Sequence, residues 1–211
     1  MSSYLLHYPN HPKLEVNVHG GHFATRGCHK SHYVDVTPIK HDHLLAREAA
    51  VALAGRYVVS SNIDTILCLD GSEVVGAFLA YHLAKKDFRS INSDKNICVV
   101  APEYDRNNQM IFRENLIPMV KDRDVLVLIS TVNSGSTAQR ALECVSYYGG
   151  RTQGIAAVFS AAEEVEGVPV FALFTPADIP GYVSRPAKEC PMCASGEKIS
   201  ALINSYGFSK L

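Results

Sequence analysis

The stretch Asp124-Val-Leu-Val-Leu-Ile-Ser-Thr-Val-Asn-Ser-Gly-Ser-Thr137 constrains the fold of this chain more than any other. Its apolar run, Val125 to Ile129, has the length and the Val/Leu/Ile content of a strand buried on both faces, as in a parallel sheet. Small polar residues follow at once: Ser130, Thr131, Asn133, Ser134, Gly135, Ser136 and Thr137. Ala138, Ala141, Leu142 and Val145 then recur at helical spacing until Gly149-Gly150 stops the pattern. A buried strand, a tight loop and a helix N-terminus together form an anion site, because free backbone N–H groups and the positive end of the helix dipole point at the loop. The hydroxyls of Ser134, Ser136 and Thr137 would add donors. The same residues also suit an ordinary strand-to-helix turn in which Ser and Thr only cap, and the local pattern leaves both readings open.

Strand and helix signals alternate around this stretch. Asp42 is placed to cap a helix carrying Leu44, Leu45, Ala49, Ala52 and Leu53. Thr65 to Leu69 reads as a second buried strand, Asp70-Gly71-Ser72-Glu73 as its loop, and Val74, Val75, Phe78, Tyr81 and His82 as the next helix face. Asp70 and Glu73 suit capping of that helix, since carboxylates are stabilised at a helix start. Ile97 to Ala101, Gln153 to Phe159 and Val170 to Phe174 are further strands. Pro102 to Gln109 is a loop by its Pro, Asp and paired Asn, and Glu163 to Glu166 an acidic solvated turn. This order predicts a parallel sheet with helices on both faces. The ends differ from the middle. Leu14 to Val18 and Tyr33 to Val36 alternate like strands with one wet face, and Lys198 to Tyr206 carries Ile199, Leu202 and Ile203 at helical spacing. A chain of 211 residues suits one domain, with a core over 41–174 and appendages at 1–40 and 175–211.

A net charge of −1 gives no electrostatic argument for nucleic acid or for an anionic membrane surface. No apolar run approaches the roughly 20 residues of a membrane span. Met1-Ser-Ser-Tyr-Leu-Leu-His lacks a basic region followed by an apolar core, so no secretory signal is expected. The six cysteines are then expected as reduced thiols in a cytoplasmic compartment.

Eight histidines, at positions 7, 11, 19, 22, 29, 32, 41 and 43, crowd the N-terminal end. They show no pair at helical spacing and no carboxylate partner, so surface or loop positions are the expectation. Glu189-Cys-Pro-Met-Cys193 is a CxxC. Cys190 and Cys193 supply half of a tetrahedral zinc site, which histidines or a partner subunit would have to complete. A redox role is less suited, because no thioredoxin-like strand precedes the motif.

The central stretch resembles the phosphoribosyl pyrophosphate motif of type I phosphoribosyltransferases: an apolar strand, two acidic residues, two further residues, then Thr-Thr-Gly-Gly-Thr or a variant. Asn133-Ser-Gly-Ser-Thr137 matches the tail. Ile129 and Ser130 stand where the acidic pair belongs. The segment from Gly21 to Val36 is similar to the start of orotate phosphoribosyltransferases, with Phe23, Lys30, Ser31 and Tyr33 in register and Arg26 where a substrate-reaching Lys often stands. The Glu-Cys-Pro-x-Cys piece is a third similarity.

The resemblance implies a phosphoribosyltransferase-like fold, with a mostly parallel sheet, helices on both faces and a small hood from the two terminal segments. It implies a 5-phosphate cradle at Asn133, Ser134, Gly135, Ser136 and Thr137. It also implies a pyrophosphate loop at Asp70, Gly71, Ser72 and Glu73, a base side at Arg26, Lys30 and Tyr33, and a mobile loop whose remaining cations are Arg106 and Arg113. Magnesium would accompany transfer activity, and the family's architecture implies a homodimer with shared pockets. Pro102-Glu103 replaces the loop's Arg-Lys opening, and Ser160-Ala161 replaces the Asp-Arg that meets orotate. Loss of such groups each costs about 2.7–4 kcal/mol in a barrier, which points away from efficient orotate transfer. Three readings follow. The first is a protein that binds a phosphorylated ribose or nucleotide with little or no transfer. The second is an active phosphoribosyltransferase with another substrate, using Arg26, Arg106 and Asp70 or Glu73. The third is an interaction protein with a vestigial pocket.

Overall fold

The computed structural model describes residues 2–211. The chain opens with three antiparallel strands, β1 (Ser2–Tyr8), β2 (His11–Ala24) and β3 (His29–Asp35). Along β2, Leu14, Val16 and Val18 are buried and the residues between them are not, as strict alternation demands. The β2–β3 register slips between Gly20 and Phe23. Past that bulge His22, Phe23 and Ala24 are all buried. A bulge re-aims side chains in this way.

Two helices follow, α1 (Thr37–His41) and α2 (His43–Tyr57). The Asp42 carboxylate accepts from the amides of Leu44 and Leu45, so the expected cap is present. The buried face of α2 is Ala46, Ala49, Ala50, Ala52, Leu53, Ala54 and Tyr57, with Leu44 exposed. Next come β4 (Thr65–Leu69), buried throughout, and α3 (Glu73–Ala84). The inward residues of α3 are Val75, Gly76, Leu79, Ala80 and Leu83, while Val74 and Tyr81 face out. The inward face is turned from the expected one, sharing only Val75 with it, and Gly76 lets α3 approach β4 closely. A Cβ on Gly76 would lie 2.3 Å from the Cys68 sulfur.

After β5 (Cys98–Val100) the expected loop at 102–109 is a short antiparallel ribbon, β6 (Glu103–Tyr104) against β7 (Met110–Ile111). Asp105 closes its turn, accepting from the amides of Asn107 and Gln109. The central strand β8 (Asp124–Val132), α4 (Ser136–Tyr147), β9 (Arg151–Ser160), β10 (Glu164–Val165) and β11 (Val168–Phe174) complete the core. The sheet order is β10-β11-β9-β8-β4-β5, parallel except for β10. Helices α2 and α3 pack on one face and α4 on the other. The acidic turn therefore contains a paired strand, and its Val165 is buried under the loop that starts α4.

Strand β12 (Ser184–Arg185) pairs with β3, and a four-residue helix α5 (Pro191–Ala194) follows. The last segment forms strands, not the expected helix: β13 (Ala201–Asn204) and β14 (Gly207–Lys210) make a hairpin, and β13 adds in parallel to β2. Ala201 packs under Phe23 and Tyr33, with Ile203 beside them, and Asn204 to Gly207 forms the turn. The terminal segments thus share one six-stranded sheet, β12-β3-β2-β13-β14 with β1 on β2. Among the described residues no helix is long and apolar enough to cross a membrane.

Candidate functional site

The second sheet faces the C-terminal end of β8 across a cavity of about 400 Å³. That volume lies within the range of small-molecule sites. Its floor is Ile129, Thr131 and Val132. One wall is the loop 133–137 with the first turn of α4, and the opposite wall is the β2–β3 turn with Lys30, His32 and Tyr33.

The loop is open. Gly135, at φ +80°, turns the chain into α4, and no side chain among the described residues caps that helix. The first hydrogen bond of α4 is Gln139 N–H to the Gly135 carbonyl, so the amides of Ser136, Thr137 and Ala138 donate to no described group. Ser134 and Ser136 are exposed, and their hydroxyls lie 3.3 Å apart. A Cβ at Gly135 would meet Val165 at 3.1 Å, so Val165 supports the loop from beneath.

Three cations line the cavity against one carboxylate: Arg26, Lys30 and Arg140 against Asp70. Arg26 is exposed at the tip of the β2–β3 turn. Lys30 is 3% exposed and donates to the side-chain oxygen of Asn133. Burial pushes its ammonium down to about 8. Arg140 donates to the Asn108 carbonyl at 3.1 Å and to the Thr137 hydroxyl at 3.4 Å, while its Nε is buried without a partner. Arg140 escaped the sequence reading, although its place one helical turn beyond Ser136 was a usable signal. Tyr33 lies at the base of its wall, its hydroxyl 3.4 Å from Asp35, and burial beside that carboxylate pushes the phenol up to about 12. Tyr182 and His32 form an aromatic face with ring centroids 6.3 Å apart and planes 19° apart. The Tyr182 hydroxyl is a second buried lining atom without a partner. Burial lowers the His32 imidazole, which favours its neutral form.

The remaining expected residues are dispersed. Of the Asp70–Glu73 loop only Asp70 lines the cavity. Ser72 is buried and donates to the Leu128 carbonyl, and Glu73 faces outward beside Val74 and Tyr81. Neither the Asp70 nor the Glu73 side chain caps α3, whose N-cap is Ser72 with no side-chain capping bond. Lys40, unmarked in the sequence, lies over the loop and donates to the Asp70 carbonyl at 3.0 Å and the Ser205 carbonyl at 2.7 Å. This ties the Asp70–Glu73 loop to the C-terminal hairpin. Arg106 and Arg113 do not reach the cavity. Arg113 spends its guanidinium on Glu103 at 2.8 and 3.0 Å across the ribbon. Ile129 is a floor residue, whereas Ser130 lies off the lining with its hydroxyl buried and unpartnered.

Magnesium, implied for transfer, finds a poor donor set here. Asp70 is the one lining carboxylate, burial raises it, and the Lys40 charge lies beside it. These residues do not fit a divalent site held by the protein. What the cavity offers is stabilisation of negative charge, through free amides and three cations, of which Lys30 is buried and Arg26 exposed. Cys190 and Cys193 lie apart from it, beside His22 and His29.

No protein-family model matches the chain, and no curated protein matches it in sequence. Solved structures do match. The orotate phosphoribosyltransferase of Mycobacterium tuberculosis H37Rv, in complex with 5-phospho-alpha-D-ribosyl 1-diphosphate, is 19% identical. The match covers 70% of this chain and 82% of that one at a TM-score of 0.51. The adenine phosphoribosyltransferase of Thermoanaerobacter pseudethanolicus is 15% identical over 68% of this chain and 88% of its own, at 0.52. UMP synthase of Leishmania donovani is 14% identical over 75% of this chain and 33% of its own longer chain, at 0.55. The chain has the phosphoribosyltransferase fold.

Proposed function

We propose that this protein binds a phosphorylated ribose or nucleotide in the cavity between its two sheets, with little or no phosphoribosyl transfer. The phosphate is assigned to the Asn133–Thr137 loop. The observation that carries this reading is the uncapped start of α4, where the amides of Ser136, Thr137 and Ala138 are free within reach of Lys30 and Arg140. The fold likeness supports it, since one structural neighbour holds a phosphoribosyl pyrophosphate. The ribose would lie over Ile129 and Thr131, and a planar base would meet Tyr182, His32 and Phe159.

Weak transfer follows from the groups at the cavity. Ile129 and Ser130 give no carboxylate for the sugar hydroxyls, Lys40 is committed to two carbonyls, and Arg113 to Glu103. With Lys30 beside the phosphate loop, leaving-group charge would fall to Arg26 and Arg140.

The test is a thermal-shift and calorimetric titration with ribose 5-phosphate, phosphoribosyl pyrophosphate and nucleoside monophosphates, with ribose as control. Phosphorylated ligands are expected to raise Tm and ribose is not. Absence of any shift would leave the interaction-protein reading. Orotate or adenine turnover with magnesium in the ordinary range of about 1–10³ s⁻¹ would replace this proposal with that of an active transferase.

A further inference from the structure

Four side chains from opposite ends of the chain converge outside the cavity: His22 on β2, His29 on β3, and Cys190 and Cys193 before and within α5. One ligand atom from each lies within 4.8 Å of all the others. His22 Nε2 is 2.9 Å from His29 Nδ1, 3.5 Å from the Cys190 sulfur and 3.6 Å from the Cys193 sulfur, and His29 Nδ1 is 3.2 Å from the Cys193 sulfur. Zinc bonds of ~2.0–2.1 Å to nitrogen and ~2.3 Å to sulfur, at tetrahedral angles, separate two nitrogens by ~3.3 Å and a nitrogen from a sulfur by ~3.6 Å. The observed spacings fall around those values. We infer that these four residues form a structural zinc site of two thiolates and two imidazoles, which staples the C-terminal segment to the β2–β3 hairpin.

The surroundings agree. His22 Nδ1 lies 2.8 Å from the Glu197 carbonyl. A bond there fixes the proton on Nδ1 and leaves the Nε2 lone pair for the metal, the usual second-shell arrangement of a ligating histidine. His22 is fully buried and Cys190 is 3% exposed. A divalent cation with two thiolates is neutral overall, so burying the complex avoids the cost of burying an isolated charge. The bulge that turns His22 inward while Phe23 stays buried on the other side supplies the geometry.

The segment also needs an anchor. From Arg185 to Lys198 nearly every residue is exposed, and Cys190 is the one buried member. The hydrophobic cluster of this part of the sheet is Phe23, Tyr33 and Ala201 with Ile203 against them. Small modules with so little core are commonly held by metal or disulfide. All four ligands being protein side chains, the site is closed, which marks it as structural and not catalytic. It fixes the base of the turn that carries Arg26 and Cys28 into the cavity wall. It does not depend on what the cavity binds, because its readout is metal content.

The test is elemental analysis of the full-length protein, purified under reducing conditions from zinc-replete cells and dialysed against a weak chelator. About one zinc per chain is expected. Cys193→Ser and His29→Ala should each lose it, while Cys28→Ser, a neighbouring thiol outside the four, should keep it. Cobalt(II) added to stripped protein should give the visible absorption of a tetrahedral thiolate site, and stripping should speed tryptic cleavage after Lys188 and Lys198, which are exposed but held in place by the site. Trace zinc in the reduced wild type, retention of full zinc by both ligand variants, or a Cys190–Cys193 disulfide that forms in air and leaves a metal-free protein on reduction would each overturn the assignment.

Discussion

Lys30 donates its ammonium to the side-chain oxygen of Asn133, 103 residues away, and so joins the second sheet to the first residue of the loop that starts α4. This contact holds the two walls of the cavity in register. It also places a buried cation beside the free amides.

Replacing that cation separates binding from folding. Lys30→Met keeps the length and removes the charge. Affinity for ribose 5-phosphate should fall at least tenfold, since a hydrogen bond to a charged group contributes about 1.5–3 kcal/mol. The unliganded Tm should fall little or rise, because Met carries no desolvation cost. Calorimetry beside a melting curve reads both, and undiminished affinity in the variant would remove Lys30 from the binding site.

Gly135→Ala forces a side chain into φ +80° and against Val165 at 3.1 Å. The left-handed conformation alone costs about 1–2 kcal/mol. Gly149→Ala carries a similar φ, +77°, but its new Cβ meets only Lys121 at 3.6 Å. Both variants should lose stability in urea, Gly135→Ala the more because of Val165, and only Gly135→Ala should also weaken phosphate-ligand binding. Equal ligand affinity in the two would argue against the loop as the anion site.

The packing of α3 on β4 offers a double-mutant cycle. Gly76→Ala puts a methyl 2.3 Å from the Cys68 sulfur, an overpacking expected to cost about 1–3 kcal/mol. Cys68→Ala removes the obstructing atom, so the double variant should be more stable than the sum of the single losses predicts. Strict additivity in denaturant unfolding would show that the helix shifts instead.

Asp64 accepts from the Asp124 amide at 3.1 Å and pairs with Lys95 at 3.0 Å. Burial pushes its carboxyl up, but the Asp124 amide and Lys95 outweigh that and hold it below its ordinary value. A carboxylate depressed in the folded state stabilises fully above its unfolded pKa, and the contribution is lost as pH falls through the folded value. Asp64→Asn should therefore cost about 1–2 kcal/mol at neutral pH, allowing for partial exposure. The two proteins should converge in stability once pH has fallen through the depressed folded value, below the ordinary aspartate range. A gap that stays constant across that range would assign the effect to packing.

The sequence by itself determined the central sheet and the small-residue turn that leads from β8 into α4. Strands buried on both faces must be apolar at every position, so Thr65–Leu69 and Val125–Ile129 are legible without any partner, and a small-residue turn before a helix is a local pattern. Periodicity is less informative where burial is shallow. Ile199, Leu202 and Ile203 fit a helix as well as a strand, and only the open edge of β2 decided for the hairpin. Helix α3 is apolar on nearly every side, so its periodicity does not single out the inward face of Val75, Leu79 and Leu83. The bonds of Lys40 to Asp70 and Ser205, and of Arg140 to Asn108, are contacts between distant segments, and no spacing rule encodes them. The same holds for His22, His29, Cys190 and Cys193. The CxxC displayed half of a tetrahedral set, but its other half lay among many histidines near the N-terminus. Selecting two of them required the bulge in β2 and the return of the C-terminal segment to the same sheet, because ligand geometry is set over a few ångströms in space and not by distance along the chain.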